Sequence, residues 1–267
     1  MTALQAVVLA VVQGLTEFLP VSSSAHLILV PRFLGWPDQG QVFDLATHVG
    51  SLLAVLVYFR TELMRLLAAT PRLFSREAFQ VGTEASLLFN LGIGTIPAAI
   101  AGLLFAHFIA SGARDPHLIA WTTLVFGLLL GAADWIGRGQ RDEHQVSWPQ
   151  ALLIGAFQAI ALLPGTSRSG ATITAGRLTG LTRPGAARFS FLLSVPVGLL
   201  VTAKESVDLW SGAGARIGAL PLVLGFVVSA LTSFAVIAWL LRFLQRRSML
   251  VFVVYRILLA LVLFLWF

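Results

Sequence analysis

Six apolar runs leave this chain one kind of solvent to fold in. They are Val42 to Phe59, Glu84 to Ile109, His117 to Ile136, Phe189 to Ala203, Ile217 to Leu241 and Met249 to Phe267. A helix crosses a hydrocarbon core in roughly 20 apolar residues, and these runs reach or approach that length. Charged residues make up only 11% of the chain, against about 25% in a typical soluble domain. The alternating pattern of a membrane β-barrel is absent. The reading is an all-α polytopic membrane protein with six transmembrane helices. There are no cysteines, so disulfides and thiolate metal sites are excluded. Met1 to Val12 has no basic residue and no cleavage pattern, so no signal peptide is expected. The net charge is +6. Most of its basic residues sit in loops, which points to topology and anionic headgroups rather than nucleic acid.

Two further apolar stretches are too short to span. Leu4 to Leu19 ends at Pro20, and a second short helix runs from about His26 to Phe33. Gln150 to Leu163 ends at Pro164-Gly165, and a second short helix runs to Leu178. Each pair reads as a re-entrant helical hairpin, and each is followed by three spans. The polar segment Arg138 to Ser147 separates the halves, about 1–137 and 148–267, within one membrane domain. A hairpin enters and leaves by one face, so each half crosses three times and the halves are inverted-topology repeats. With the loop after the first span in the cytoplasm, Arg60 to Arg76, Arg138 to Arg141, Arg183 to Arg188 and Arg242 to Arg247 place eleven basic residues inside. Arg32, Arg114, Lys204 and Arg216 lie outside. The positive-inside rule then puts both termini outside. The two hairpin tips meet near the midplane, where irregular backbone survives only inside protein or beside water. The basic segment Arg60 to Gln80 is expected to contain an amphipathic stretch.

The tips carry the chemistry. Pro164-Gly165-Thr166-Ser167-Arg168-Ser169-Gly170-Ala171-Thr172 places a turn, hydroxyls and a permanent cation before a helix start. Free N–H groups and the positive helix end suit an anion there, and Arg168 offers a fork matched to phosphate oxygens. A plain polar turn would explain the stretch in a soluble protein, but an Arg at membrane depth is paired or functional. Gln13 and Glu17 are spaced i, i+4 and share a helix face. Glu17 is a snorkelling or Arg168-pairing residue on one reading, and a general base or hard-cation ligand on the other. His26, across the break, is a candidate acid or nucleophile. Ser22, Ser23 and Ser24 include a helix cap. Asp44 and His48 read as interfacial or supporting residues, and Asn90 and Asp134 as structural polar contacts.

The stretch Gln13-Gly14-Leu15-Thr16-Glu17-Phe18-Leu19-Pro20-Val21-Ser22-Ser23-Ser24-Ala25-His26 resembles the first signature of the undecaprenyl-diphosphate phosphatase family, the bacitracin-resistance membrane phosphatases. Pro164 to Thr172 is similar to its second, Pro-Gly-x-Ser-Arg-Ser-x-x-Thr. The resemblance covers the whole chain. It implies hydrolysis of undecaprenyl diphosphate to the monophosphate carrier of cell-wall synthesis, in a bacterial cytoplasmic (inner) membrane, with the site open to the outer face. It implies catalytic roles for Glu17, Ser23, His26 and Arg168. Phosphate binding falls to Gly165, Thr166, Ser167, Arg168, Ser169 and Thr172. A divalent cation, Mg²⁺ or Ca²⁺, is implied at Glu17 with Gln13. Gln13 is the permitted variant of the family's first Glu, which leaves Glu17 as the principal carboxylate, and Ala25 stands where many members have Gly. Water attack and a phospho-enzyme both remain open. The partners expected are a polyprenyl diphosphate lipid and the bilayer, with no nucleic acid, and a homodimer is open beside a monomer. The rival reading is a lipid-phosphate transporter or flippase using the same inverted-repeat cavity.

Overall fold

The computed structural model describes residues 1–104, 115–137, 139–209 and 217–267. Among these there are eleven α-helices and no strand beyond one isolated bridge, Arg141 to Leu181. They are α1 (Ala3–Thr16), α2 (Ser23–Leu34), α3 (Gln41–Tyr58), α4 (Arg60–Ala68), α5 (Glu84–Leu104) and α6 (Pro116–Ile136) in the first half. The second half holds α7 (Trp148–Ile160), α8 (Arg168–Leu178), α9 (Arg183–Asp208), α10 (Ala219–Leu244) and α11 (Leu250–Trp266). Helices α3, α5, α6, α9 and α10 are long and apolar enough to cross a membrane. The sixth expected span is α11, which at 17 residues stands at the short end of that range. The end of the second expected span, with Arg114, Arg138 and Arg216, lies outside the described residues.

Local chemistry sets the helix boundaries. Thr2 and Gln5 close a capping box on α1, and Ser147 and Gln150 close the matching box on α7. Pro116, Pro149 and Pro184 stand in the first turns of α6, α7 and α9, where the missing N–H costs nothing. The amphipathic stretch expected after the first span is α4, followed by two 3₁₀ turns, Thr70–Phe74 and Arg76–Phe79.

The halves are built into each other. Helix α1 of the first half packs on α10 of the second, and α7 of the second packs on α5 of the first. Helices α3 and α9 lie together, as do α6 and α11. Small residues allow the crossings, since a Cβ on Gly14 would sit 2.9 Å from the Ser229 carbonyl and one on Gly155 would strike the Gly94 backbone. Each crossing carries a matching hydrogen bond. Ser233 Oγ donates to the Gly14 carbonyl at 3.4 Å, and Gln158 Nε2 to the Gly94 carbonyl at 3.3 Å.

Several charges inside the bundle are paired. Asp134 accepts from Arg183 Nε at 2.6 Å and from the Met249 N–H at 3.0 Å, and lies 3.4 Å from Arg177 Nε. Arg188 bonds Glu62 at 2.8 Å and also Glu143, tying α9 to α4 and to the central linker. Asn90 donates to the Val146 carbonyl at 2.7 Å. Asp134 and Asn90 thus stand where structural contacts were expected.

Candidate active site

Both helix pairs break in the same way. The residue before α2 is Ser22, at φ 76°, and the residue before α8 is Ser167, at φ 71°. These are the two non-glycine residues of positive φ among the described residues. Such backbone costs on the order of 1–3 kcal/mol and persists only where its surroundings enforce it. Gly165, two residues earlier, has φ 87°, and a Cβ there would lie 2.6 Å from the Ile119 carbonyl. Only glycine fits that turn.

The first tip presents a carboxylate. Glu17 follows the last turn of α1, and its N–H bonds the Gln13 carbonyl at 2.9 Å. The i, i+4 spacing brings Gln13 Nε2 to Glu17 Oε2 at 3.0 Å. Ser23 Oγ donates to the same oxygen at 2.7 Å. Arg168 Nη2, from the second tip, donates to Oε1 at 2.8 Å. His48 Nε2 stands 3.7 Å from Oε1. Glu17 is 8% exposed, and a charge at that depth is tolerable because donors surround it.

The second tip presents a cation and a helix N-terminus. Ser167 Oγ caps α8 by accepting the Gly170 N–H at 3.1 Å. The N–H groups of Arg168 and Ser169 have no acceptor among the described residues, as an anion seat requires. Ser169 Oγ donates to the Leu19 carbonyl at 3.0 Å, joining the tips directly. Thr172 turns to α9, 2.6 Å from Ser190 Oγ. Thr166 Oγ1 is buried with no hydrogen-bond partner among the described residues. A narrow cavity opens beside the Glu17–Arg168 pair, lined by Phe18, His48, Ser51, Leu52, Ser194 and Gly198.

Residues 6–262 match the family described as Bacitracin resistance protein BacA. The chain belongs to that family. It is 48% identical over 266 residues to an undecaprenyl-diphosphatase of Magnetococcus marinus, covering 99% of this chain and 98% of the relative. It is 50% identical over 270 residues to undecaprenyl-diphosphatase 2 of Stutzerimonas stutzeri, covering 100% and 99%. A Nitrosococcus oceani undecaprenyl-diphosphatase is 48% identical over 256 residues, 96% of each chain.

Within this BacA chain, Gln13, Glu17, Ser23 and Arg168 form one hydrogen-bonded constellation. His26 stands apart from it. Its Nδ1–H donates to the Ser22 carbonyl at 2.7 Å, which leaves Nε2 to accept the Tyr255 hydroxyl at 2.5 Å. The two rings stack at 5.7 Å. His48, expected in a supporting or interfacial place, is the histidine beside Glu17 and lines its cavity.

Two residues went unnoticed in the sequence. Tyr255 meets His26, and Arg256 reaches both tips from the middle of α11. The signal for Arg256 was present, a lone charge inside an apolar span.

Among the described residues no group of three His, Cys, Asp or Glu side chains could hold a metal. Glu17 does offer a hard oxygen donor, and the buried Gln13 Oε1 beside it lacks a hydrogen-bond partner. That pair fits Mg²⁺ or Ca²⁺ sharing its remaining coordination with water and a phosphate ligand.

Proposed function

We propose that the protein is an undecaprenyl-diphosphatase, removing the terminal phosphate of undecaprenyl diphosphate to leave the monophosphate lipid. The observation that carries this reading is the meeting of both signature stretches on one carboxylate, Ser23 and Arg168 on Glu17 at 2.7 and 2.8 Å. The three curated undecaprenyl-diphosphatases aligned over nearly their full lengths support it.

Arg168 and the free N–H groups of α8 seat the terminal phosphate and stabilise charge on its oxygens. To do so, Arg168 turns from Glu17 toward the ligand. Phosphoryl transfer relies on such positioning more than on covalent help from the protein. A divalent ion held by Glu17 and Gln13 Oε1 would supply further charge neutralisation on the diphosphate. Ser23 holds Glu17 in place for an attacking water. Attack at the terminal phosphorus breaks its bond to the bridging oxygen, releasing inorganic phosphate and the lipid monophosphate. His26 is a second candidate for proton transfer once its Nε2 leaves Tyr255. The isoprenoid tail lies along lipid-facing helix surfaces. By the distribution of basic residues, the protein sits in the cytoplasmic membrane with termini and cavity on the outer side. The Glu17–Ser23 contact favours hydrolysis over lipid transport, which needs an anion seat but no carboxylate braced for chemistry.

The test is phosphate release by the purified protein from a long-chain isoprenyl diphosphate, with Mg²⁺ or Ca²⁺ and then with chelator. Cation-dependent release, lost in Glu17→Ala, supports the assignment. No release from folded wild-type protein, with lipid movement retained in vesicles, would replace it with the transporter reading.

A further inference from the structure

Arg256 has no part in the chemistry above, yet it sits where the tips meet. It is 0% exposed. Its Nε donates to the Thr123 carbonyl at 3.1 Å. Nη1 reaches the carbonyls of Pro20 and Thr166 at 3.1 and 3.0 Å, and Nη2 those of Thr122 and Gly165 at 3.4 and 2.8 Å. A guanidinium has five N–H donors in a fixed plane, and all five meet backbone oxygens. Pro20 belongs to the first tip, Gly165 and Thr166 to the second, and Thr122 and Thr123 to α6. Burying a cation with no carboxylate beside it is costly, and an apolar side chain would fill the space without that cost. What Arg supplies and an apolar residue cannot is a rigid template for carbonyls on three segments.

Taking the active site as read above, we propose that Arg256 is a positioning residue that holds the two tips at a fixed spacing, so that Glu17 and Ser23 face Arg168 across one phosphate. The other ties between the tips are less suited to this. Glu17 and Arg168 change partners when a diphosphate enters, so their contact does not persist through turnover. Ser169 contributes a single hydrogen bond to Leu19. Arg256 touches only backbone and keeps its contacts whatever the cavity holds.

The chain has no cysteine, so paired spin labels can be placed cleanly. Leu15→Cys on α1 and Leu178→Cys on α8 are 41% and 50% exposed and lie outside the site. Label-to-label distances by pulsed electron resonance, with kcat and KM, are measured in this background for wild type, Arg256→Gln and Arg256→Lys. The expected result is a broadened or displaced distance distribution in both variants, kcat lower by about 100-fold, and KM changed far less. Lys keeps the charge and loses the planar fork, so it is expected to behave like Gln. If Arg256→Gln does not fold, Arg256→Lys carries the test alone. Unchanged distances with lost turnover overturn the proposal in favour of a purely electrostatic role. Displaced distances with full kcat, or an Arg256→Lys protein equal to wild type, overturn it too. If wild-type protein releases no phosphate, the proposed function fails, and the distances still decide whether Arg256 sets the spacing.

Discussion

The two tips share a backbone and differ in charge. In each, a short helix stops four residues before a proline, and the chain then turns through a serine of positive φ and starts a second short helix. The first tip then offers Glu17 and Ser23, and the second offers Arg168. The same irregular peptide geometry thus occurs twice, while side chains divide the work between an acidic jaw and a basic one. The lesson is that a shared backbone geometry fixes where a site can be and leaves open what each side does.

The largest test of that division is an exchange of charge. Arg168→Ala is expected to lower kcat by about 10³-fold, the lower end for an Arg that meets a transferring phosphoryl group. Glu17→Arg combined with Arg168→Glu restores the ion pair on paper. It is expected to stay as inactive as the single changes, because Gln13 Nε2 and Ser23 Oγ are placed to donate to a carboxylate at position 17 and have nothing to donate to on a guanidinium. Recovery of activity in the double variant would mean that the jaws are interchangeable. Next in size is Gly165→Ala, which forces a Cβ against the Ile119 carbonyl. The expected loss is roughly 2–4 kcal/mol, read from thermal unfolding in detergent, since strain and a steric clash combine there. The first tip has no counterpart, and Ser22→Gly is expected to raise stability by up to about 1 kcal/mol by relieving its positive φ. Ser167→Gly should gain less, because Ser167 caps α8 and Ser22 makes no capping bond. Equal gains would argue that the cap contributes nothing.

A smaller effect concerns the residue that follows the first tip. Tyr255→Phe keeps the ring stacked on His26 and removes the hydroxyl at Nε2. If His26 carries a proton during turnover, kcat falls by about tenfold or less, the scale of a lost accessory contact to an acid–base group, and the pH–rate curve moves. An unchanged curve assigns His26 to structure. The smallest effect lies away from both tips. On α4, burial raises the Glu62 carboxyl, but its hydrogen bonds and charge contact with Arg188 outweigh that and hold it below 4.5. Because the folded value lies below the unfolded one, the contribution is present above about pH 4.5 and is lost as pH falls through the folded value. Glu62→Gln should flatten that acid limb of the stability curve while leaving activity at neutral pH unchanged.

Much of this was legible from residues alone. Apolar runs gave the spans, proline breaks gave the short helix pairs, and the i, i+4 pair placed Gln13 on Glu17. What escaped detection depended on direction. His26 follows a serine whose positive φ turns the chain, so its ring faces α11 instead of the carboxylate. His48 shares a face with Asp44 on any helix, and only the packing of α3 beside the first tip brings it to Glu17. Arg256 bonds carbonyls from three segments, and carbonyls have no letter in a sequence. Pairing by charge can be guessed from side chains, whereas pairing to backbone cannot.

The exchange of α1 and α7 between the halves has a consequence for biogenesis. A ribosome that has delivered the first 137 residues to the membrane has made Glu17 and Ser23 but neither Arg168 nor α10, on which α1 packs. The first hairpin must therefore wait in the bilayer, its Glu17 without the second tip's guanidinium, until the second half is threaded in. Its proline break and self-contained Gln13–Glu17–Ser23 bonds are what that interval requires, since they satisfy much of the carboxylate before its partner has been translated.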